Sequence, residues 1–146
     1  MAVPGRFMSG CGGGEIQRIC EFVMTPFGAK IRELRDHRGI KLKEMAKALG
    51  ISSAYLSALE HGRRGRPTWF MVQRIISYFN VIWDEAEELQ RLAEISDPKL
   101  TIDTGGLAPE ATELTNLLGA KISALSEKSL TDLIHEVRKA AARDGI

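Results

Sequence analysis

Between Lys43 and His61 two short helical runs meet with only Gly50-Ile51-Ser52 between them. The first run places Met45, Ala46 and Leu49 on one side. The second spans Ser53 to His61, opens under a Ser52 cap, and buries Leu56 and Leu59 together with Ala54 or Tyr55. A turn this tight needs positive φ at Gly50, where any Cβ is penalised. Ala46, small and four residues before the glycine, lets the two helices cross closely, while Ile51 plugs the corner. The pattern predicts a helix-turn-helix in which the second helix keeps one face free of the core.

The flanking sequence is also helical. Thr25 caps and Pro26 opens a helix with Phe27, Ile31 and Leu34 at i, i+4, i+7, and Gly39 ends it. The first of the two runs stops at Gly50 and the second at Gly62. After the loop Arg63-Arg64-Gly65-Arg66-Pro67, Thr68 caps a fourth helix carrying Phe70, Val72, Ile75, Ile76 and Phe79. Trp69 and Trp83 bracket this helix and read as core or helix-packing residues. A fifth, acidic helix covers about Asp84 to Ile95. With 6% aromatic residues and few β-branched runs, the chain reads as all-α, and 44% hydrophobic residues suffice for a core.

The rest divides at Gly and Pro. Residues 1–24 read as a flexible extension, with a glycine cluster around Cys11 and at most a short helix from Glu15 to Val23. Residues 25–96 form the helical domain, 97–109 a linker, and 110–146 two amphipathic helices. These carry Leu114, Leu117, Leu118, Ile122 and Leu125, then Leu130, Leu133, Ile134 and Val137. Helices this short need each other, the domain or a second subunit to cover an apolar face. Cys11 and Cys20 fit no zinc spacing. With no secretory h-region and no transmembrane stretch, the expectation is a cytoplasmic protein with reduced thiols.

Charge separates the two halves. The net charge of +1 hides +7 on Thr25–Asn80 and −6 on Asp84–Ile146. A basic module joined to an acidic one is the signature expected of polyanion binding.

Residues Thr25 to Asn80 resemble the DNA-binding domain of the phage-repressor type (lambda and 434 repressor, Cro and Xre-like regulators). The matching stretches are Ile31-Arg32-Glu33-Leu34-Arg35 with Arg38-Gly39-Ile40, Glu44 to Ser52, Tyr55-Leu56-Ser57, and Leu59-Glu60-His61-Gly62-Arg63. The resemblance implies a five-helix repressor-like DNA-binding domain followed by a C-terminal helical hairpin. It also implies a dimer on a pseudo-palindromic operator in double-stranded DNA, and a transcriptional regulator, by default a repressor. Carried over residue by residue, it puts DNA-reading side chains at Ser53, Ala54, Ser57 and Ala58, and phosphate contacts at Ser52 and Tyr55. Lys41, Lys43, His61, Arg63, Arg64 and Arg66 complete the expected DNA face. Where the family often has Gln at the start of helix two, this chain has Leu42, which shifts the expected affinity towards phosphates and DNA shape. Arg35 and Glu60 occupy positions that resemble a buried pair tying helix one to helix three. Arg64-Gly65-Arg66-Pro67 also resembles the AT-hook core, so the loop is expected on a minor groove or on phosphates.

His37, His61 and His135 are scattered and suggest no metal, and no catalytic signature or cofactor motif is present. The expectation is a non-enzyme without cofactor. Its C-terminal hairpin either forms a homodimer or, in the antitoxin-like alternative, binds a partner protein.

Overall fold

A computed structural model describes residues 24–146. The expected extension, the short helix from Glu15 to Val23, Cys11 and Cys20 lie outside the described residues. Seven α-helices and no strand occur among the described residues, and the backbone divides into two compact units at Leu100/Thr101.

The first unit holds α1 (Pro26–His37), α2 (Leu42–Ala48), α3 (Ser53–Glu60), α4 (Trp69–Phe79) and α5 (Asp84–Glu94). Three helices begin on the expected hydroxyl caps. Thr25 accepts from the Gly28 amide, Ser52 from Tyr55, and Thr68 from Met71. Helices α1, α2 and α3 end alike, each with the amide two residues past the cap reaching back five: Ile40 to Arg35, Ile51 to Ala46, Arg63 to Ala58, at 2.8–3.0 Å. At Gly50 φ is +61°, so the chain leaves α2 and enters α3 through a conformation that a side chain would resist.

Phe27, Ile31, Met45, Leu56, Leu59, Ile75, Phe79 and Leu89 are fully buried, drawn from all five helices. Each large side chain so buried contributes about 1.5–3 kcal/mol. Helix α1 packs on α3 and α5, α2 on α3, and α4 on α5. At the back, the Ser96 hydroxyl accepts from the Phe27 amide (2.9 Å) and donates to the Leu92 carbonyl (2.6 Å), fastening the end of α5 to the start of α1.

Two expectations about this core are corrected. Trp69 and Trp83 are 72% and 81% exposed, and Phe70, placed among the apolar residues of helix four, is also exposed. After α4 the backbone turns through left-handed Asn80 (φ +47°) and Trp83 (φ +50°), which buries Val81 and carries Ile82 and Trp83 outward. Trp69 opens α4 at the rim, beside Gln90, Ala93 and Glu94, while Met71 and Val72 take the inward positions.

The second unit holds α6 (Pro109–Lys121), a 3₁₀ turn (Ile122–Ala124) and α7 (Glu127–Asp144), which Ser126 caps through the Ser129 amide. Helix α6 starts on Pro109, one residue earlier than expected, because proline suits the first helical position. Neither α6 nor α7 contains a buried residue.

One pair of charges lies inside the apolar core. Arg35 Nε and a terminal nitrogen donate to the two Glu60 carboxylate oxygens at 3.1 and 3.3 Å, with both residues buried. Burial pushes the Glu60 carboxyl above its usual range although Arg35 pulls it down. The ionised form is therefore disfavoured on folding: Glu60 contributes stability below the usual carboxylate range, and this is lost as pH rises through the raised value. Glu60→Leu alone leaves the buried Arg35 guanidinium without its hydrogen-bond acceptors and should cost about 3–5 kcal/mol, whereas Arg35→Leu with Glu60→Leu should be nearly neutral or stabilising. The double variant should gain on wild type as pH rises from about 4 to 7, read from denaturant midpoints at each pH; a constant gap would show that Glu60 does not titrate in this way.

The same junction generates a second prediction. A Cβ on Gly28 would fall onto the backbone carbonyl of Glu60, where no flexible side chain can give way. Gly28→Ala should destabilise by about 3 kcal/mol or more by forcing α1 from α3, despite alanine's better helix propensity. A thermal midpoint at or above wild type would refute this close approach.

Candidate nucleic-acid interface

Helix α3 divides cleanly. Leu56, Leu59 and Glu60 face inward and are buried, while Ser53, Ala54, Ser57 and Ala58 lie on the other side, half-buried to exposed. The expected reading surface therefore exists as one face of one helix. It is composed of two hydroxyls and two methyls, without a long side chain. Ser52 uses its oxygen to cap Tyr55, which leaves its O–H available as a donor at the exposed start of the helix.

The structure also explains Leu42. It is the first residue of α2, half-buried, and it packs against the core. An apolar side chain gains more there than it would facing a phosphate.

The cations sort into two sets. Lys30 pairs with Glu88 at 3.3 Å, Arg35 with Glu60, and Arg32 with Asp36 at 3.9 Å. Hydrogen bonding and the charges of Glu88, Glu33 and Glu85 hold the Lys30 ammonium above its usual range against the effect of its burial. Lys41, Lys43, Arg63, Arg64 and Arg66 are exposed, and none of their side-chain charges pairs with a carboxylate among the described residues, although the Lys41 backbone amide donates to Glu44. The lysines sit before and in the first turn of α2, and the arginines follow the end of α3. They flank the Ser/Ala face from both sides in sequence.

Tyr55 links helix and loop. Its half-buried ring carries the Arg64 guanidinium 5.7 Å from the centroid, which gives Arg64 a preferred position without neutralising it. His61 Nδ1 lies 2.8 Å from the Ser57 carbonyl, so that nitrogen donates and the ring is tethered at the helix end. The structure thus brings Ser52, Ser53, Ala54, Tyr55, Ser57, Ala58 and His61 together on or at the ends of α3, with Arg64 held against them.

Arg74 has no role in the sequence reading, yet it is a tie in the structure. It donates to the Leu49 carbonyl at the end of α2 and lies 5.7 Å from the exposed Phe70 ring. It fastens α4 to the turn before α3. The Phe70–Arg74 spacing of i, i+4 is a visible cue for the ring contact; the bond to Leu49, 25 residues away, has no local signal.

Among the described residues, no group of His, Cys, Asp or Glu is placed to hold a metal ion, and no helix is long and apolar enough to cross a membrane.

Comparisons with known proteins agree with this geometry. Residues 26–92 match a family described as a helix-turn-helix domain. An uncharacterized HTH-type transcriptional regulator of Bacillus subtilis, RghRB, is 36% identical over 61 residues, which cover 42% of this chain and 44% of that protein. The HTH-type transcriptional repressor RghR of the same organism is 28% identical over 61 residues, 42% of this chain and 45% of its own. The ImmF control region 10 kDa protein of Bacillus phage phi105 is 53% identical over 36 residues, a quarter of this chain and 40% of that protein. The chain spans less than half the length of the curated relatives it matches. No solved structure matches it. Gly50 at the turn, the buried inner face of α3 and these relatives converge: residues 26–92 match a helix-turn-helix domain and are similar to the Xre-like phage-repressor type.

Proposed function

We propose that this chain is a sequence-specific, double-stranded-DNA-binding transcriptional regulator that acts as a dimeric repressor in the cytoplasm. The carrying observation is the free outer face of α3 bracketed by five exposed cations without carboxylate partners among the described residues. Within the first unit no carboxylate neutralises those cations; Arg64 alone meets an aromatic ring, which leaves its charge in place. Placed in a major groove, Ser53 and Ser57 offer hydroxyls to base edges, and Ala54 and Ala58 offer methyls to thymine. Ser52 and Tyr55 at the start of α3, with Lys41, Lys43, His61, Arg63, Arg64 and Arg66, take the sugar–phosphate backbone and set register. The name of one relative, a transcriptional repressor, supports repression as the sense of regulation. The reading requires no catalysis and no cofactor.

Two experiments test it. Changing Arg63, Arg64 and Arg66 together to Ala should weaken binding to every duplex and reduce the slope of log affinity against log salt by about 2–3, close to 0.9 for each phosphate no longer neutralised. Fluorescence titrations across a salt series read both, and an unchanged slope would remove the loop from the interface. Separately, Ser53→Glu with Ser57→Glu should abolish operator binding in a protein that keeps its helical circular dichroism, because two carboxylates would face the groove. A folded double variant that still binds would show that α3 is not the reader.

A further inference from the structure

The second unit leaves most of its large apolar side chains exposed, with Leu118, Leu125 and Leu130 half-buried. Leu117 and Ile122 of the α6 segment are 52% and 50% exposed, and Ile134 and Val137 of α7 are 52% and 57% exposed. An 18-residue helix without a buried residue gains nothing from its amphipathic pattern unless something covers that stripe.

The charges on α7 indicate what covers it. The half from Glu127 to Glu136 carries Glu127, Asp132 and Glu136 against Lys128, a net −2. The half from Val137 to Gly145 carries Arg138, Lys139 and Arg143 against Asp144, a net +2. Two such helices side by side in the same direction would set like charges together. In opposite directions they set each acidic half beside a basic half, and a two-fold axis between identical surfaces does this.

The spacing fits the same arrangement. Leu130, Leu133/Ile134 and Val137 form a stripe at alternating steps of three and four, the seam of paired helices. Glu127 and Arg138 are about three helical turns apart and so lie on one flank of that stripe. With the axis at Leu133–Ile134, Leu130 meets Val137 of the second copy, and Glu127 falls within about one turn of that copy's Arg138. The pairs available inside one chain, Glu136–Lys139 at 4.0 Å and Arg143–Asp144 at 3.3 Å, are highly exposed and contribute little. Acid at the start and base at the end of a helix also suit its own dipole, so a test must separate the two effects.

We infer that α7 is an antiparallel, self-complementary pairing surface for a second copy of this chain, its direction set by its oppositely charged halves. This deepens the dimeric reading proposed above and rests on it. The test uses the full chain in sedimentation equilibrium, with helicity followed by circular dichroism. Reversing the acidic half (Glu127→Lys, Asp132→Lys, Glu136→Lys) or the basic half (Arg138→Glu, Lys139→Glu, Arg143→Glu) should each weaken self-association at least tenfold. Reversing both restores complementarity in the antiparallel pair but worsens the fit to the helix dipole, and should return self-association to near wild type. If the doubly reversed α7 unwinds, mixing the two single-reversal variants decides: each dissociates alone and they dimerise together. A monomeric wild type, dimers indifferent to either single reversal, or a mixture that stays monomeric overturns the inference. A wild type that is monomeric alone but forms a stoichiometric complex with a different protein through α7 overturns it in favour of the antitoxin-like alternative. Binding of a single half-site duplex, measured on the same variants, should not change. Its absence already in wild type would instead break the DNA-binding reading and leave α7 to be judged on sedimentation alone.

Discussion

Glu60 is where the orientation of α3 is decided. Its carboxylate grips Arg35 of α1 through two hydrogen bonds, and its backbone carbonyl accepts from the Thr25 amide at 3.1 Å. Its main chain also lies against Gly28 so closely that no side chain fits between. Arg35 reaches one step further and donates to the Ile40 carbonyl at 3.3 Å, in the connection to α2. A buried ion pair is a poor source of stability, since desolvation consumes most of its Coulombic gain. It is a good source of geometry, because two parallel hydrogen bonds fix the angle between the groups that make them. The apolar core holds the helices together; this junction specifies how α3 sits on α1, and hence which of its faces is turned out.

That division of labour continues across the unit. Arg74 holds the end of α2 from α4, and Ser96 holds the start of α1 from the end of α5. Both are single polar side chains spanning elements far apart in sequence. They supply the directional restraint that close-packed but non-directional apolar contacts lack.

Much of this is legible in the residues. Thr25, Ser52 and Thr68 announce helix starts because a hydroxyl that caps an amide three residues on is a local event. Gly50 announces the turn for the same reason. The charge asymmetry points to the basic segment without any geometry. What the residues leave open depends on direction rather than identity. Trp69, Phe70 and Trp83 are apolar, and residue type alone places them inside; the left-handed backbone at Asn80 and Trp83 carries Trp83 outward, and at the start of α4 Met71 and Val72 take the inward positions instead of Trp69 and Phe70. Arg74 escapes because its partner is a carbonyl 25 residues distant. At the site itself, the outward residues of α3 follow from its inward ones, but the docking of Arg64 on Tyr55 depends on a loop path that no spacing rule specifies.

The outer face of α3 has a consequence for how such a domain must work if it reads DNA as proposed. A good bidentate contact from Arg, Asn or Gln discriminates between bases by about 1–3 kcal/mol. Ser53, Ala54, Ser57 and Ala58 offer none, so one copy draws most of its affinity from phosphates and little of its selectivity from any single base. Selectivity then has to come from adding weak readings. Two copies held together read two half-sites at a fixed separation, and the second reading occurs at high effective concentration once the first copy is bound. A weak reading helix and a dedicated pairing helix are on this account complementary requirements: the shorter the side chains on α3, the more the protein depends on α7.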